Sequence, residues 1–446
     1  RSKVHIQLIL WNDWDIRRAF WLRCTETIWC GRGNMRAADY GMRAQTVKNR
    51  CASLTTETKN ELLRALAERL QVSIAEILAA NEQDLAATHG LSGAMQDRLR
   101  LTAERIEAIA QSVEQVATLP DPLAVAQEKR IFTNGLTQYK VTVPFGVIAI
   151  IYEARPNVTI DAAALALKSG NTVILRGGKE AQHTNLVLTQ CVRDVLHDAG
   201  VPEDIVQYVQ TTDRSLVGEL LRERSTIDLV IPRGGRGLIQ FVLENSMVPV
   251  IETGSGICHV YVDKAADPMK ATAIVMNAKT QRPSVCNALE TLLVHRAVAP
   301  QWLPVIAEQL TAAGVELRGD EATCRYVSGC RPVTAEDWAT EYNDLILSIK
   351  VVDDLDAALA HIARYGTRHS ECIISEDRHA IERFLREVDA AAVYANASTR
   401  FTDGFEFGLG AEIGISTQKL HTRGPMGLEA LVTYKYCLYG TGQVRS

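Results

Sequence analysis

The chain has 446 residues, with 48 Lys and Arg against 53 Asp and Glu, a formal charge of −5, and 47% of its residues are apolar. That length and composition suit two or three globular domains with full cores and exclude a disordered, collagen-like or small disulfide-stapled protein. A mildly acidic chain without clustered Lys and Arg argues against nucleic acid as a partner, because such clusters supply that affinity. The longest apolar run, Val143 to Tyr152, is about half of the roughly 20 residues that a bilayer-spanning helix needs, so no membrane partner is expected. The 10 Cys are scattered, with no C-x-x-C pair and no His/Cys cluster spaced for zinc. Free thiols in a reducing, cytoplasmic setting and no metal are the expectation.

Residues 1 to 34 carry Trp11, Trp14, Trp21 and Trp29 and two Cys with no helical or strand period, directly before Met35. They read as an extension outside the fold, translated from upstream sequence. From Thr58 the pattern is helical. Thr58 with Glu61 makes a capping box, Leu62, Leu63, Leu66 and Leu70 form one apolar stripe, and helical sequence continues to about Ala117.

After Pro120 the character changes. Short runs rich in Val and Ile (Val143 to Tyr152, Thr172 to Leu175, Asp228 to Ile231, Val248 to Ile251, His259 to Val262) alternate with helical segments (Asp161 to Lys168, Leu186 to His197, Leu238 to Glu244). The alternation resumes with strands near Glu290 to His295, Leu345 to Val352, Glu371 to Ile374 and Ala391 to Tyr394. Continuous apolar strands separated by helices predict parallel sheets covered on both faces. The fold class is therefore α/β, with two such domains behind a helical N-terminal region, divided as 35–264 and 265–395.

Two glycine turns end strands of the first domain. Arg176, Gly177, Gly178 and Lys179 follow one strand; Arg233, Gly234 and Gly235, with Arg236, follow another and open a helix. Glycines permit close backbone approach, and a helix start attracts phosphate, so these residues are candidates for a dinucleotide site. An ordinary strand-to-helix turn explains either segment taken alone.

Nine of the cysteines read as small buried hydrophobes. Cys286 stands out, because Pro283 ends the preceding helix and places it in a loop or at an element start, with Lys279 and Arg282 near in sequence. Cations and exposed N–H groups make the surroundings of a nucleophile; taken alone, a buried thiol between helix and strand explains Cys286 equally well.

Several segments together then carry a resemblance: VPFGV at Val143–Val147, YEARPNVT at Tyr152–Thr159, ILRGGKE at Ile174–Glu180, IPRGG at Ile231–Gly235, Asn277 to Asn287, NASTRFTDG at Asn396–Gly404, and STQKLHTRGPMGLE at Ser416–Glu429. From about Thr55 to Lys435 the chain resembles the gamma-glutamyl phosphate reductases of the aldehyde dehydrogenase superfamily. The resemblance implies an aldehyde-dehydrogenase-like fold: a Rossmann-like cofactor domain, an α/β catalytic domain, and a small oligomerisation element built partly from a C-terminal segment, residues 396–446, that returns to the cofactor domain. It also implies NADPH-dependent reduction of L-glutamate 5-phosphate through a cysteine thioester, a homo-oligomer, and functional pairing with a glutamate 5-kinase.

Carried over by position, Cys286 matches the family nucleophile and Asn157 the amide that forms the oxyanion hole with the nucleophile's own N–H. Lys279, Arg282, Arg423, Asn396, Ser398 and Thr399 match regions near the substrate. Phe405 and Arg236 depart from the family's usual small residues. Two rivals remain: a hydrolytic aldehyde dehydrogenase with Glu252 as general base, and a catalytically silent assembly subunit of the same fold.

Overall fold

The computed structural model describes residues 35–88, 90, 93–123 and 126–445, so the expectation for residues 1 to 34 lies outside the described residues. The chain begins with helices Ala37–Ala52, Thr56–Val72, Ile74–Ala87, Gly93–Leu99 and Ala103–Thr118. The second of these has its N-cap three residues before the expected box. Thr55 is its N-cap, its hydroxyl accepting from the Thr58 N–H at 3.2 Å. Its stripe Leu62, Leu63, Leu66 and Leu70 is buried in the core of the first α/β domain.

The chain then makes β1 (Ala126–Ile131), β2 (Thr137–Pro144), β3 (Val147–Tyr152), β4 (Thr172–Arg176), β5 (Val206–Tyr208) and β6 (Leu229–Arg233). Strands β3 to β6 form a parallel sheet in the order β5-β4-β3-β6. Burial of every residue of β3 explains why it reads as an unbroken apolar run.

The expected single strand Val143 to Tyr152 is in fact the end of β2 and all of β3, which belong to different sheets. The break falls at Gly146, whose φ is +123° and where a Cβ would lie 2.4 Å from an Asp228 carboxylate oxygen. Only glycine turns the chain there without strain and without a clash. Val248 to Ile251, read as a strand, contributes an isolated bridge from Val250 to Val230.

The second sheet has seven parallel strands in the order β10-β9-β11-β8-β7-β12-β13. They are β7 (Cys258–Val262), β8 (Leu289–His295), β9 (Glu316–Gly319), β10 (Arg331–Pro332), β11 (Ile346–Val352), β12 (Ser370–Ile374) and β13 (Ala392–Ala395). Strand β7, which the expected division at residue 264 leaves in the first domain, pairs with β8 and β12 in this second sheet.

After β13 the chain crosses back. A short pair, β14 (Ile415–Ser416) and β15 (Gly424–Pro425), precedes β16 (Val432–Tyr439). Ala411, Ile413, Met426, Leu428 and Leu431 pack into the core beneath β3 and β4. Strand β16 pairs antiparallel with β2, giving the exposed sheet β1-β2-β16.

Candidate active site

Cys286 lies half-buried in the loop between the helix Pro268–Thr280 and β8. The backbone around it is held on several sides. Arg98 donates to the Ser284 carbonyl, and the Cys258 thiol to the Cys286 carbonyl at 3.2 Å. The Thr399 hydroxyl donates to the Asn287 carbonyl at 2.7 Å, and Arg400 to the Asn287 side chain. Gly256 completes the seat, since a Cβ there would fall 1.4 Å from the Cys286 carbonyl oxygen. A thiol on a loop fixed at so many points keeps its position without help from a ligand.

Charge gathers around this thiol. Arg98, Arg155 and Arg400 each lie within electrostatic reach of Cys286, and Arg282 within reach of all three. Burial, together with Arg233 and Arg98, pushes the Arg155 guanidinium down to about 9. Glu341 lies within reach of Arg98 and Asp403 within reach of Arg400, so the cations are partly balanced, and an anionic group beside the thiol would still meet several positive charges. The nearby carboxylates shift the other way. Burial raises Glu412 and Asp161 to about 7, with Asp403 adding to both.

Asn157 opens the helix Asn157–Ser169 at the end of the turn from β3, two residues beyond Arg155. Its amide nitrogen donates to an Asp161 carboxylate oxygen at 2.9 Å. The turn holds Ala154 at φ +32°, a conformation that costs a non-glycine residue about 1 kcal/mol or more and is tolerated where surrounding structure enforces it.

The remaining substrate candidates divide. Arg282 stays near the cluster, half-exposed, with Asp97 at 3.4 Å. Lys279 is a correction: its side chain is 0% exposed and bonds to Glu290 at 2.9 Å, so it faces the core rather than a substrate. Arg423 pairs with Asp389 at 2.9 Å, which already takes Lys419. Asn396 brackets Ser375 with two hydrogen bonds, and Ser398 caps the turn Thr399–Phe401. These two, with Thr399, hold the loop that clamps Asn287. Phe405 and Arg236 both face solvent. Glu252 lines a different cleft of about 490 Å³ with Thr367, Arg368, Thr417 and Lys419, and burial alone raises its pKa.

The ends of β3 and β4 and the helix Arg236–Asn245 after β6 open on a second cleft, of about 480 Å³, lined by Tyr152, Arg176, Gly178, Lys179, Arg214 and Phe241 among others. This is the edge where parallel α/β sheets bind nucleotides. The Arg176 guanidinium donates to the carbonyls of Gly177 at 2.9 Å and Thr212 at 3.3 Å, and its buried Nε has no partner. Gly177 packs against Asn185. An unsatisfied buried guanidinium N–H in a cleft that Lys179 and Arg214 also line fits a dinucleotide phosphate.

The second glycine turn plays another part. The Gly235 N–H donates to the Glu153 carboxylate at 2.8 Å, and Gly234 packs against the same carboxylate, so that helix start is capped from within. Arg233 turns away from the cleft, 3.9 Å from Glu412 on the Cys286 side. Arg214, Arg98, Arg400 and Glu412 went unread in the sequence. Arg400 lies inside a quoted motif, whereas Arg98 sits in a helix with no local signal.

Among the described residues no group of three or more His, Cys, Asp or Glu could hold a metal, and no helix is long and apolar enough to cross a membrane.

Comparison with known proteins agrees with this geometry. Residues 35–324 match the aldehyde dehydrogenase family. A gamma-glutamyl phosphate reductase of Carboxydothermus hydrogenoformans is 54% identical over 405 residues, covering 90% of this chain and 98% of that protein. One from Enterococcus faecalis is 54% identical over 408 residues, covering 91% and 98%. The crystal structure of gamma-glutamyl phosphate reductase from Thermotoga maritima superposes with a TM-score of 0.88 at 47% identity, covering 92% of this chain and all of that one. With relatives of this identity along nearly their whole length, the chain belongs to the gamma-glutamyl phosphate reductase family of the aldehyde dehydrogenases.

Proposed function

We propose that the chain reduces L-glutamate 5-phosphate to L-glutamate 5-semialdehyde and inorganic phosphate with NADPH, the second step of proline synthesis from glutamate. The observation that carries this reading is the half-buried Cys286 thiol within reach of Arg98, Arg155 and Arg400. In the first half-reaction the Cys286 sulfur attacks the acyl carbonyl, the C–S bond forms, and the C–O bond to phosphate breaks. The arginines hold the departing phosphate, and the acyl group stays on Cys286 as a thioester. A nicotinamide, when bound, supplies the hydride. Asn157 and the Cys286 N–H stabilise the oxyanion that develops on the carbonyl oxygen, and its collapse expels the aldehyde and frees the thiolate.

The cleft at Arg176, Lys179 and Arg214 would hold the adenosine end of the cofactor. Cations there suit a 2′-phosphate and leave NADH, which lacks it, with less to bind. Lys179→Glu is therefore expected to raise the KM for NADPH by about tenfold, one charge-assisted contact, while moving that for NADH much less. Equal effects on the two cofactors would remove Lys179 from the site.

The reverse reaction separates this reading from the hydrolytic rival. With glutamate 5-semialdehyde and NADP, NADPH should accumulate only when inorganic phosphate is present, and Glu252→Gln should keep that activity. Steady turnover without phosphate, lost in Glu252→Gln, would assign the protein to hydrolysis, which needs a positioned base.

A homo-oligomer assembled through the β1-β2-β16 sheet is supported by the exposed Tyr434, Tyr436, Leu438 and Tyr439 on its last strand. A glutamate 5-kinase in the same cytoplasm would supply the acyl phosphate, a group too reactive toward water to store.

A further inference from the structure

Asn157 and Asp161 are one turn apart on the same helix, so their side chains share a face. The bond between them runs from the amide nitrogen to the carboxylate, at 2.9 Å. A carboxamide is nearly symmetric in shape, and a half-turn about its last bond exchanges a donor for an acceptor. Beside a carbonyl that becomes an oxyanion, the wrong orientation presents a lone pair to a growing negative charge.

We propose that Asp161 is a positioning residue that fixes the Asn157 carboxamide with its nitrogen toward the reacting carbonyl, taking one N–H and leaving the other for the oxyanion. The inference rests on the reading of Asn157 as an oxyanion donor. An ionised carboxylate only accepts, so it admits one orientation of its neighbour. A protonated one also donates and admits both. The groups facing Asp161 bring that change into the working range. Burial first, then Glu412 and Asp403, push its pKa up to about 7, while the Asn157 N–H and Arg233 pull it down.

The test is a double-mutant cycle in the phosphate-dependent oxidation of glutamate 5-semialdehyde, with wild-type turnover measured first to fix the reaction. Asn157→Ala should lower kcat by about 10²–10³-fold, as loss of an oxyanion donor does. Asp161→Asn, whose amide can pair with either orientation of Asn157, should lower kcat roughly tenfold or more with little change in KM, because the lost contact acts in the transition state. The double variant should be no slower than Asn157→Ala alone, since Asp161 acts through a side chain already gone.

The ratio of wild-type to Asp161→Asn activity should also rise as pH increases through about 7, since groups common to both proteins cancel. Multiplicative losses in the double variant, or a loss carried by KM, would mean that Asp161 touches the substrate itself and would overturn the proposal. An Asn157→Ala protein with normal kcat would instead locate the failure in the oxyanion reading. Asp161→Ser, run through the same cycle and checked by circular dichroism and NADPH titration, covers the case in which the Asn variant folds poorly.

Discussion

Cys286→Ala is expected to reduce turnover by about 10⁴-fold or more while leaving the fold and NADPH binding unchanged, because a single sulfur carries the covalent route. The loop does not depend on that sulfur for its shape. Its clamps act on the backbone and on neighbouring side chains: Arg98 on Ser284, Cys258 on the Cys286 carbonyl, Thr399 and Arg400 on Asn287. The informative control is Cys191→Ala. Cys191 is buried in the helix Gln182–Asp198, where burial raises its thiol pKa, so its loss should lower stability and spare chemistry. Steady-state rates, circular dichroism and NADPH fluorescence titration on both variants check the pair of outcomes. More than a few per cent of wild-type rate in Cys286→Ala would refute the covalent mechanism.

The largest stability effect is expected at the Lys279–Glu290 pair. Both side chains are almost wholly shielded from solvent, and burial moves each toward its neutral form, Lys279 downward and Glu290 up to about 7. Removing one partner leaves the other charge buried alone, so Lys279→Met should cost about 3–5 kcal/mol in denaturant unfolding. Lys279→Met with Glu290→Leu should recover most of that loss. Activity should follow stability here, because Glu290 also accepts the Asn343 N–H at 3.2 Å, and Asn343 holds Arg98 at 2.9 Å. A Lys279→Met protein of normal stability with a raised KM for phosphate would restore Lys279 to the substrate site.

How far the sequence reaches depends on where each segment's information lies. Strands β3, β4 and β6 are legible because buried parallel strands are largely apolar, and β8 and β12 because each still carries a run of adjacent apolar residues despite the buried Glu290 and Glu371. The three-stranded sheet is not, since β1 reads AQEKRI and most of β16 is exposed. The first helix, Ala37–Ala52, escapes because its buried face is made of Ala37, Tyr40, Gly41, Ala44 and Cys51, too small and mixed to make a stripe. At the site, Cys286 can be read from its proline and its motif. Of the arginines around it, Arg282 is near in sequence and Arg155 and Arg400 lie inside motifs, but Arg98 cannot be read, because it arrives from a helix nearly two hundred residues earlier. Lys279 misled for the opposite reason: it is near Cys286 in sequence, yet its helix turns it toward β8.

The pairing of β2 with β16 has a consequence for synthesis of the chain. Pro144 sits opposite Val432, so about 290 residues must follow β2 before its partner exists. At roughly 5–20 residues per second the ribosome takes on the order of 15–60 s to supply it. During that interval β2 has only β1 on one side and an open edge on the other, a template for any strand nearby. The core under β3 and β4 waits as well, because Met426, Leu428 and Leu431 arrive just before β16. The first domain to be synthesised is thus the last to be completed, and ribosome-bound chains are most exposed to aggregation after the catalytic sheet is made and before the final strand emerges.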